Sequence, residues 1–482
     1  MQDEGTSDQS RPRSAFFRHP PGYRKRRGRN WFFLGLTYAS YYLCRYNLGI
    51  VAPELKEALG FSNKQYGAID SARNLAYGVG QFVNGLFTDR IGGKQAMTIG
   101  ALGTVLLNVM FGIVAWSNIG WLFFTLLIIR MADGYVQAFG APGFIKINTA
   151  WFRRQERGTF SGVFGIMINL GRMGVGQLGP LLATGFAVPL IFFTLTVPKL
   201  DWRYMFIIPP VIVVIIILLM NLMVKNHPEE AGYSIAHDDE DPDDDPHERL
   251  ELGVVFRKIA SNPIVWIVAC AYFCTGFVRI AISSWWTIYL DEAWNIGRSD
   301  SLFWWLAVVL LPWGASASSL SSGFISDKFF GGRRAPVAAV LYFAQFVFMV
   351  LSMMLAEGLF AGGAVMAIVL LLGIDMSCNA THSILGSAAA MDIGGRKMAG
   401  FSSGVIDSFQ YFGATIAGVG LGTLLDAFAI SAAQTTEAAA SQPTALMNPT
   451  VWFASMAPFG LLGVAMMSYL WWRHGKSGKA GT

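Results

Sequence analysis

The sequence predicts an all-α membrane protein, with twelve transmembrane helices in two pseudo-symmetric six-helix bundles. Three observations predict it. First, 53% of the 482 residues are hydrophobic and only 14% are charged, where a soluble chain carries about a quarter. Second, apolar runs of about 20 residues recur along the whole length, enough for a helix to cross a bilayer each time. Third, short motifs in the first half return in the second half, in order and at nearly constant spacing.

The elements follow in order. Residues 1–29 are polar and end in "YRKRRGR", directly before the first apolar run. They read as a cytoplasmic N-terminal tail held by its positive charge, with no cleavable signal peptide. Apolar runs then fall near 30–51, 65–87, 95–116, 121–147, 160–187 and 203–224, an N-terminal bundle over 30–224. Six more lie near 262–290, 301–325, 335–356, 360–384, 398–427 and 450–472, a C-terminal bundle over 262–472. Residues 473–482 form a cytoplasmic tail. "DRIGGKQ", "WFRRQERG", "SDKFFGGRR" and "IGGRKMAG" are rich in Lys and Arg and all fall on the cytoplasmic side in this topology. "AWSNIG" and the 428–449 stretch fall outside and carry almost none. One topology, with both termini cytoplasmic, accounts for this distribution.

Residues 225–261 separate the bundles and hold the acidic run Asp238 to Asp245. That run lacks the glycine and terminal bidentate Glu of a calcium loop, so it reads as a solvated cytoplasmic linker. Replacing 235–248 by a neutral flexible segment of equal length is expected to leave transport intact, because the stretch joins two bundles and has no core of its own. Transport lost at normal expression would contradict this.

Other classes are disfavoured. The net charge of +5 sits at the span ends, where topology uses it, and is no nucleic-acid signal. Cys270 and Cys274 lie one helical turn apart, but with no His or further Cys nearby they read as small buried hydrophobes, like Cys44 and Cys378. No metal or cofactor is expected. No nucleophile–base pair or phosphate-cradling loop stands out, so an enzyme is not expected.

The repeat sets the architecture. "YASYYLCR" (Tyr38 to Arg45) returns as "YFCTGFVR" (Tyr272 to Arg279). "GLFTDRIGGK" from Gly85 returns as "GFISDKFFGGRR" from Gly323, and "SGVFGIMINLG" from Ser161 as "SGVIDSFQYFG" from Ser403. The offsets are 234, 238 and 242 residues. Two related bundles with a site between them near the midplane is a transporter arrangement. Arg45 and Arg279 then stand on opposite walls of one cavity. An unpaired Arg at a helix centre costs about 2.5–3.5 kcal/mol on insertion scales, so two of them require a partner. An anion with several oxygens, such as a phosphoryl group, matches both guanidinium forks. The alternative is pairing with intramembrane carboxylates, for which Asp70, Asp133, Asp375 and Asp407 are the candidates.

The Gly-x-x-x-Asp-Arg/Lys elements at Asp89–Arg90 and Asp327–Lys328 resemble the loop signature of the major facilitator superfamily, which implies a gating role for these four residues. Tyr-Tyr-x-x-Arg-x-Asn in the first span resembles the organophosphate:phosphate antiporter family, which includes bacterial glycerol-3-phosphate and hexose-phosphate transporters. "LAYGVGQFVNG" around Tyr77, "GYVQAFGAPG" with Gln137 and Pro142, "QERG", and "FVRIAISSWWTIYL" with Arg279 agree with it, and the resemblance covers essentially all spans. It implies a monomer in the cell (inner or plasma) membrane that takes an organophosphate in exchange for inorganic phosphate by alternating access. Arg45 and Arg279 would hold the phosphoryl group, with Tyr38, Tyr42 and Tyr77 lining the wall or simply packing.

The chain also departs from that pattern. The family's fifth-span His is here Ile168, followed by Asn169. A second-span Lys is Gln81, and an eighth-span Glu is absent near Leu311 and Pro312. New polar groups stand nearby. Arg172 lies one turn after Ile168, either for the substrate or for a carboxylate such as Asp407. Gln410 is equivalent to Ile168 in the repeat. Arg73 and Asp70 are spaced to pair along one helix. Asp375, His382 and Asp407 are candidates for proton coupling or for an amine on the substrate, with packing or pairing to Arg as the alternative. Asn169, Arg172 and Gln410 therefore join the candidate substrate-binding set. Two further readings stay open: a sugar-phosphate sensor of the same fold, and a proton-coupled carrier of a phosphonate or carboxylate.

Overall fold

A computed structural model describes residues 20–152, 157–189, 194–233, 261–330, 333–429 and 446–477. Helix runs through every stretch expected to span the membrane, and the differences lie at breaks and ends. Helix α1 (Tyr23–Arg45) starts inside the stretch expected to be a polar tail. Tyr23 is the cause: it is buried, and its hydroxyl donates to the Trp151 carbonyl at 2.7 Å. The chain then breaks at Tyr46 and resumes as α2 (Asn47–Ile50) and α3 (Ala52–Leu59). Helix α4 (Asn63–Ile91) opens on a reciprocal Ser62/Gln65 capping box, which satisfies two of the N–H groups that a helix start leaves unpaired. Next come α5 (Gly93–Val114), α6 (Leu122–Gln137), α7 (Gly140–Trp151), α8 (Arg157–Thr184) and α9 (Ile208–Met223).

An all-helical chain was expected, yet a two-stranded antiparallel hairpin, β1 (Phe186–Pro189) with β2 (Thr194–Val197), caps α8. It falls between spans, where the backbone must turn. The segment expected to be linker also differs. Residues 225–233 dock on the first bundle, where Lys225 N–H donates to Asn30 Oδ1 at 2.7 Å and Trp151 Nε1 donates to the Lys225 carbonyl at 2.9 Å. The acidic run that follows lies outside the described residues.

The second half runs α10 (Pro263–Trp294), then α11 (Ser301–Trp305) joined through a π turn to α12 (Leu311–Phe329), then α13 (Arg334–Ala356), α14 (Gly363–Ser383), α15 (Ala390–Ala427) and α16 (Pro449–Ser477). Helix α16 continues past residue 472, into the expected tail.

Eight helical segments among the described residues are long and apolar enough to cross a membrane on composition alone. Helices α1, α4, α8 and α15 are not among them. The first carries five basic residues before its apolar part, and α4 buries Asp70, Ser71, Arg73, Asn74 and Asn84. Helices α4 and α15 pack on each other, as do α8 and α12, so these helices join the halves. Asp70 and Ser71 bond to Ser284 and Thr415 of the partner half, and polar residues of this kind lower the hydropathy. Large apolar side chains face outward elsewhere, among them Leu106, Leu218, Leu222 and Val365, as lipid contact requires.

The repeat is visible in the packing. A Cβ on Gly171 would overlap the Ala39 carbonyl, and a Cβ on Gly413 would overlap the Phe273 carbonyl. These are corresponding positions of the two halves, and each lets α8 or α15 approach the backbone of α1 or α10. Close approach through small residues is how helices gain packing in lipid.

Candidate functional site

The break at Tyr46 shapes the site. In an unbroken helix the Cys44 and Arg45 carbonyls would accept from Leu48 and Gly49. Leu48 N–H instead donates to Asn47 Oδ1 at 2.9 Å. The freed carbonyls accept from Arg130, Cys44 at 3.3 Å and Arg45 at 3.2 Å. Arg130 pairs with Asp133 at 3.0 Å on the same helix. Gln137, one turn on, donates to both Asp133 oxygens at 3.0 Å and accepts from Arg45 Nε at 2.9 Å. Asn108 adds a donor to Asp133 at 3.2 Å and is itself held by Asn47. A buried network thus fixes the Arg45 guanidinium. No carboxylate among the described residues forms an ion pair with Arg45 or Arg279.

Aromatic faces surround Arg45. Its guanidinium carbon lies 4.7 Å from the Tyr42 ring centre and 4.4 Å from that of Tyr77. Tyr77 packs on Tyr411 of the other half at 4.7 Å and accepts from Gln81 at 3.1 Å. Tyr38 is buried against Tyr42 and Phe144. Arg279 comes from α10. Gln410, with its amide oriented by its two neighbours, accepts from Arg279 Nη1 at 2.8 Å and donates to Asp407 Oδ1 at 2.9 Å. Each arginine is therefore held by a glutamine that also holds an aspartate, Gln137–Asp133 in one half and Gln410–Asp407 in the other.

The remaining candidates divide. Arg172 pairs across the halves with Asp375 at 3.7 Å and lies over the Tyr46 ring at 5.6 Å; its acidic partner is thus Asp375 and not Asp407. Asp407 is instead bonded by Gln410. Asn169 lies half-buried on α8. Arg73 pairs with Asp70 at 3.2 Å, and Asp70 also accepts from Ser284 of the other half at 2.9 Å. His382 stacks on Tyr272 and meets its hydroxyl at 2.5 Å. Arg90 and Lys328 are exposed, and Lys328 lies over Phe324 and Phe329. The side chains of Asp89 and Asp327 lie outside the described residues. Among the described residues no His, Cys, Asp or Glu group is placed to hold a metal, and the four cysteines are free thiols.

Tyr46, Arg130 and Tyr411 were not singled out by sequence. Tyr46 stacks on Tyr42 at 5.7 Å and lies within electrostatic range of Arg45, Arg73, Arg172 and Arg279. Arg130 carried a signal, its i,i+3 spacing to Asp133.

One end of the bundle is closed by contacts between halves. Lys56 pairs with Glu292 at 2.6 Å, and Arg298 pairs with Glu54. Asp426 accepts from the Asn63 and Lys64 N–H groups at 2.9 and 2.8 Å, capping α4 from the opposite half. Tyr66 donates to the Ser284 carbonyl and Thr287 to the Gly49 carbonyl, both at 2.6 Å. Helices α4 and α15 touch there at Gly67 and Gly418, where any side chain would collide with backbone.

The sequence matches the Major Facilitator Superfamily over residues 34–418. It is 28% identical to the glycerol-3-phosphate transporter of Bacillus subtilis (strain 168), covering 84% of this chain and 88% of that protein. It is 28% identical to a probable hexose phosphate transport protein of Chlamydia pneumoniae, covering 84% and 86%, and 25% identical to the membrane sensor protein UhpC of Escherichia coli (strain K12), covering 81% and 84%. Among solved structures, a bacterial homolog of the human lysosomal transporter Spinster, inward-facing and unoccupied, aligns with TM-score 0.66 at 17% identity over 94% of this chain and 95% of that one. A D-xylose–proton symporter aligns with TM-score 0.64 at 12% identity over 92% and 97%.

Proposed function

This chain belongs to the Major Facilitator Superfamily, a family of membrane transporters and not of enzymes, and from that premise we propose that it exchanges an organophosphate for inorganic phosphate by alternating access. The observation that carries the reading is the pair of equivalent arginines, one in each half, held by glutamines and forming no ion pair with a carboxylate among the described residues. A phosphoryl group supplies the missing negative charge and accepts from both guanidinium forks. Binding it links the two halves through one ligand, which favours the states in which they close upon it and eases rocking between them. Arg45, Arg279, Tyr38, Tyr42 and Tyr77 form the phosphoryl site in this reading. Gln137 and Gln410 position the arginines, and Asn169 and Arg172 lie toward the organic part. Glycerol-3-phosphate or a sugar phosphate is the leading substrate, in line with the names of the relatives.

The twelve-span count, two bundles over 30–224 and 262–472, a monomer, and a cell-membrane location with both termini in the cytoplasm belong to the same proposal. With that orientation the sealed end faces outside. Asp89, Arg90, Asp327 and Lys328 then gate the cytoplasmic end.

The test is counterflow in proteoliposomes. Phosphate loaded inside should accelerate uptake of labelled phosphate and of glycerol-3-phosphate, and an uncoupler should leave the exchange unaffected. Binding without counterflow would favour the sensor reading, a role carried by the Escherichia coli relative. Uptake that collapses with the uncoupler would favour proton coupling.

A further inference from the structure

A small cavity between the halves is lined by Tyr46, Arg172, Ser283 and Trp286, with Val175 and Leu311 among its apolar walls. Its polar groups are underused. The ion pair from Arg172 to Asp375 is long, at 3.7 Å. Ser283 is 7% exposed, and its Oγ is buried without a hydrogen-bond partner. Asp375 Oδ2 is likewise buried and unpartnered. Leaving buried polar groups unsatisfied is costly, and here Ser283 Oγ and Asp375 Oδ2 lie on the seventh and tenth predicted spans, with Arg172 of the fifth lining the cavity beside Ser283 and pairing with Asp375.

The geometry points to a specificity pocket for the organic part of the substrate, in which Arg172 and Ser283 donate to an uncharged hydroxyl oxygen and Asp375 positions Arg172. This rests on the phosphoryl site proposed above. The chemistry follows from the charges. Arg172 can only donate, whereas Ser283 can donate or accept, so the ligand must offer an acceptor to Arg172. Asp375 already balances the Arg172 charge, so a carboxylate there would bring a second anion beside it without a new counter-ion. A hydroxyl accepts from both donors and adds no charge. The apolar walls suit the C–H faces of a short carbon chain. Asp375 acts through Arg172 and is a positioning residue. Inorganic phosphate has no organic part and does not fill the pocket.

The experiment measures how well glycerol-3-phosphate, propyl phosphate and 3-phosphoglycerate compete with labelled phosphate for uptake into phosphate-loaded proteoliposomes. The natural protein should prefer glycerol-3-phosphate to propyl phosphate about tenfold or more, the usual worth of hydrogen bonds to a charged group. Ser283→Ala and Asp375→Asn should shrink that ratio to about twofold or less. If Asp375→Asn does not reach the membrane, Arg172→Gln/Asp375→Asn, neutral on both sides, carries the test. An unchanged ratio in the variants overturns the pocket. A natural preference for 3-phosphoglycerate that Arg172→Gln removes overturns the uncharged-oxygen assignment. Failure of the natural protein to exchange phosphate at all would be a failure of the phosphoryl-site reading, and the same assay reads it first.

Discussion

Arg45→Lys and Arg279→Lys are each expected to abolish phosphate exchange while the protein still reaches the membrane. Lysine keeps the charge but replaces a planar five-donor fork by a point charge on a flexible stem. At Arg45 it also forfeits the Nε bond to Gln137 and the two flat aromatic faces of Tyr42 and Tyr77, which suit guanidinium better than ammonium. Loss of a bidentate, charge-assisted contact on a buried anion costs about 2–5 kcal/mol, which is about 30-fold or more in affinity. Exchange assays at matched expression check this. Near-native exchange in either variant removes that arginine from the site.

Asp133→Ala is expected to destabilise the protein by about 3–5 kcal/mol, the usual cost of breaking one side of a buried ion pair. Asp133 is 1% exposed and takes bonds from Arg130, Gln137 and Asn108. Without it Arg130 keeps a buried, uncompensated charge, and Gln137 loses what aims it at Arg45. The thermal midpoint of the purified protein should fall sharply, with phosphate binding weakened in the fraction that remains folded. Arg130→Met/Asp133→Leu, which removes both charges, should recover part of the stability. A midpoint equal to that of the natural protein would show that the network bears no such load.

The class of fold and the two arginines were legible because both are encoded in periodic signals. Apolar runs of span length mark the helices, and the constant offset brings Arg45 and Arg279 into equivalence before any contact is known. The helix break at Tyr46 was not legible, since it depends on Arg130 reaching two backbone carbonyls from another helix. The Arg172–Asp375 pair joins helices far apart in the chain and has no local spacing to announce it. The Gln137 and Gln410 brackets show a middle case. Both glutamines were candidates from pattern alone, but their role of tying an arginine to an aspartate needs three side chains at once. The start of α1 was misplaced because basic residues before an apolar run read as tail, whereas a single buried tyrosine, Tyr23, carries the helix seven residues further back.

The central claim is that one phosphoryl group is shared by two arginines from opposite halves. Equilibrium binding of labelled phosphate to the purified protein, and to its Arg45→Lys and Arg279→Lys variants, tests it most directly. The account predicts one saturable site per chain, competed by glycerol-3-phosphate and lost in either variant. Two sites per chain, or half the binding capacity surviving in each variant, would contradict it.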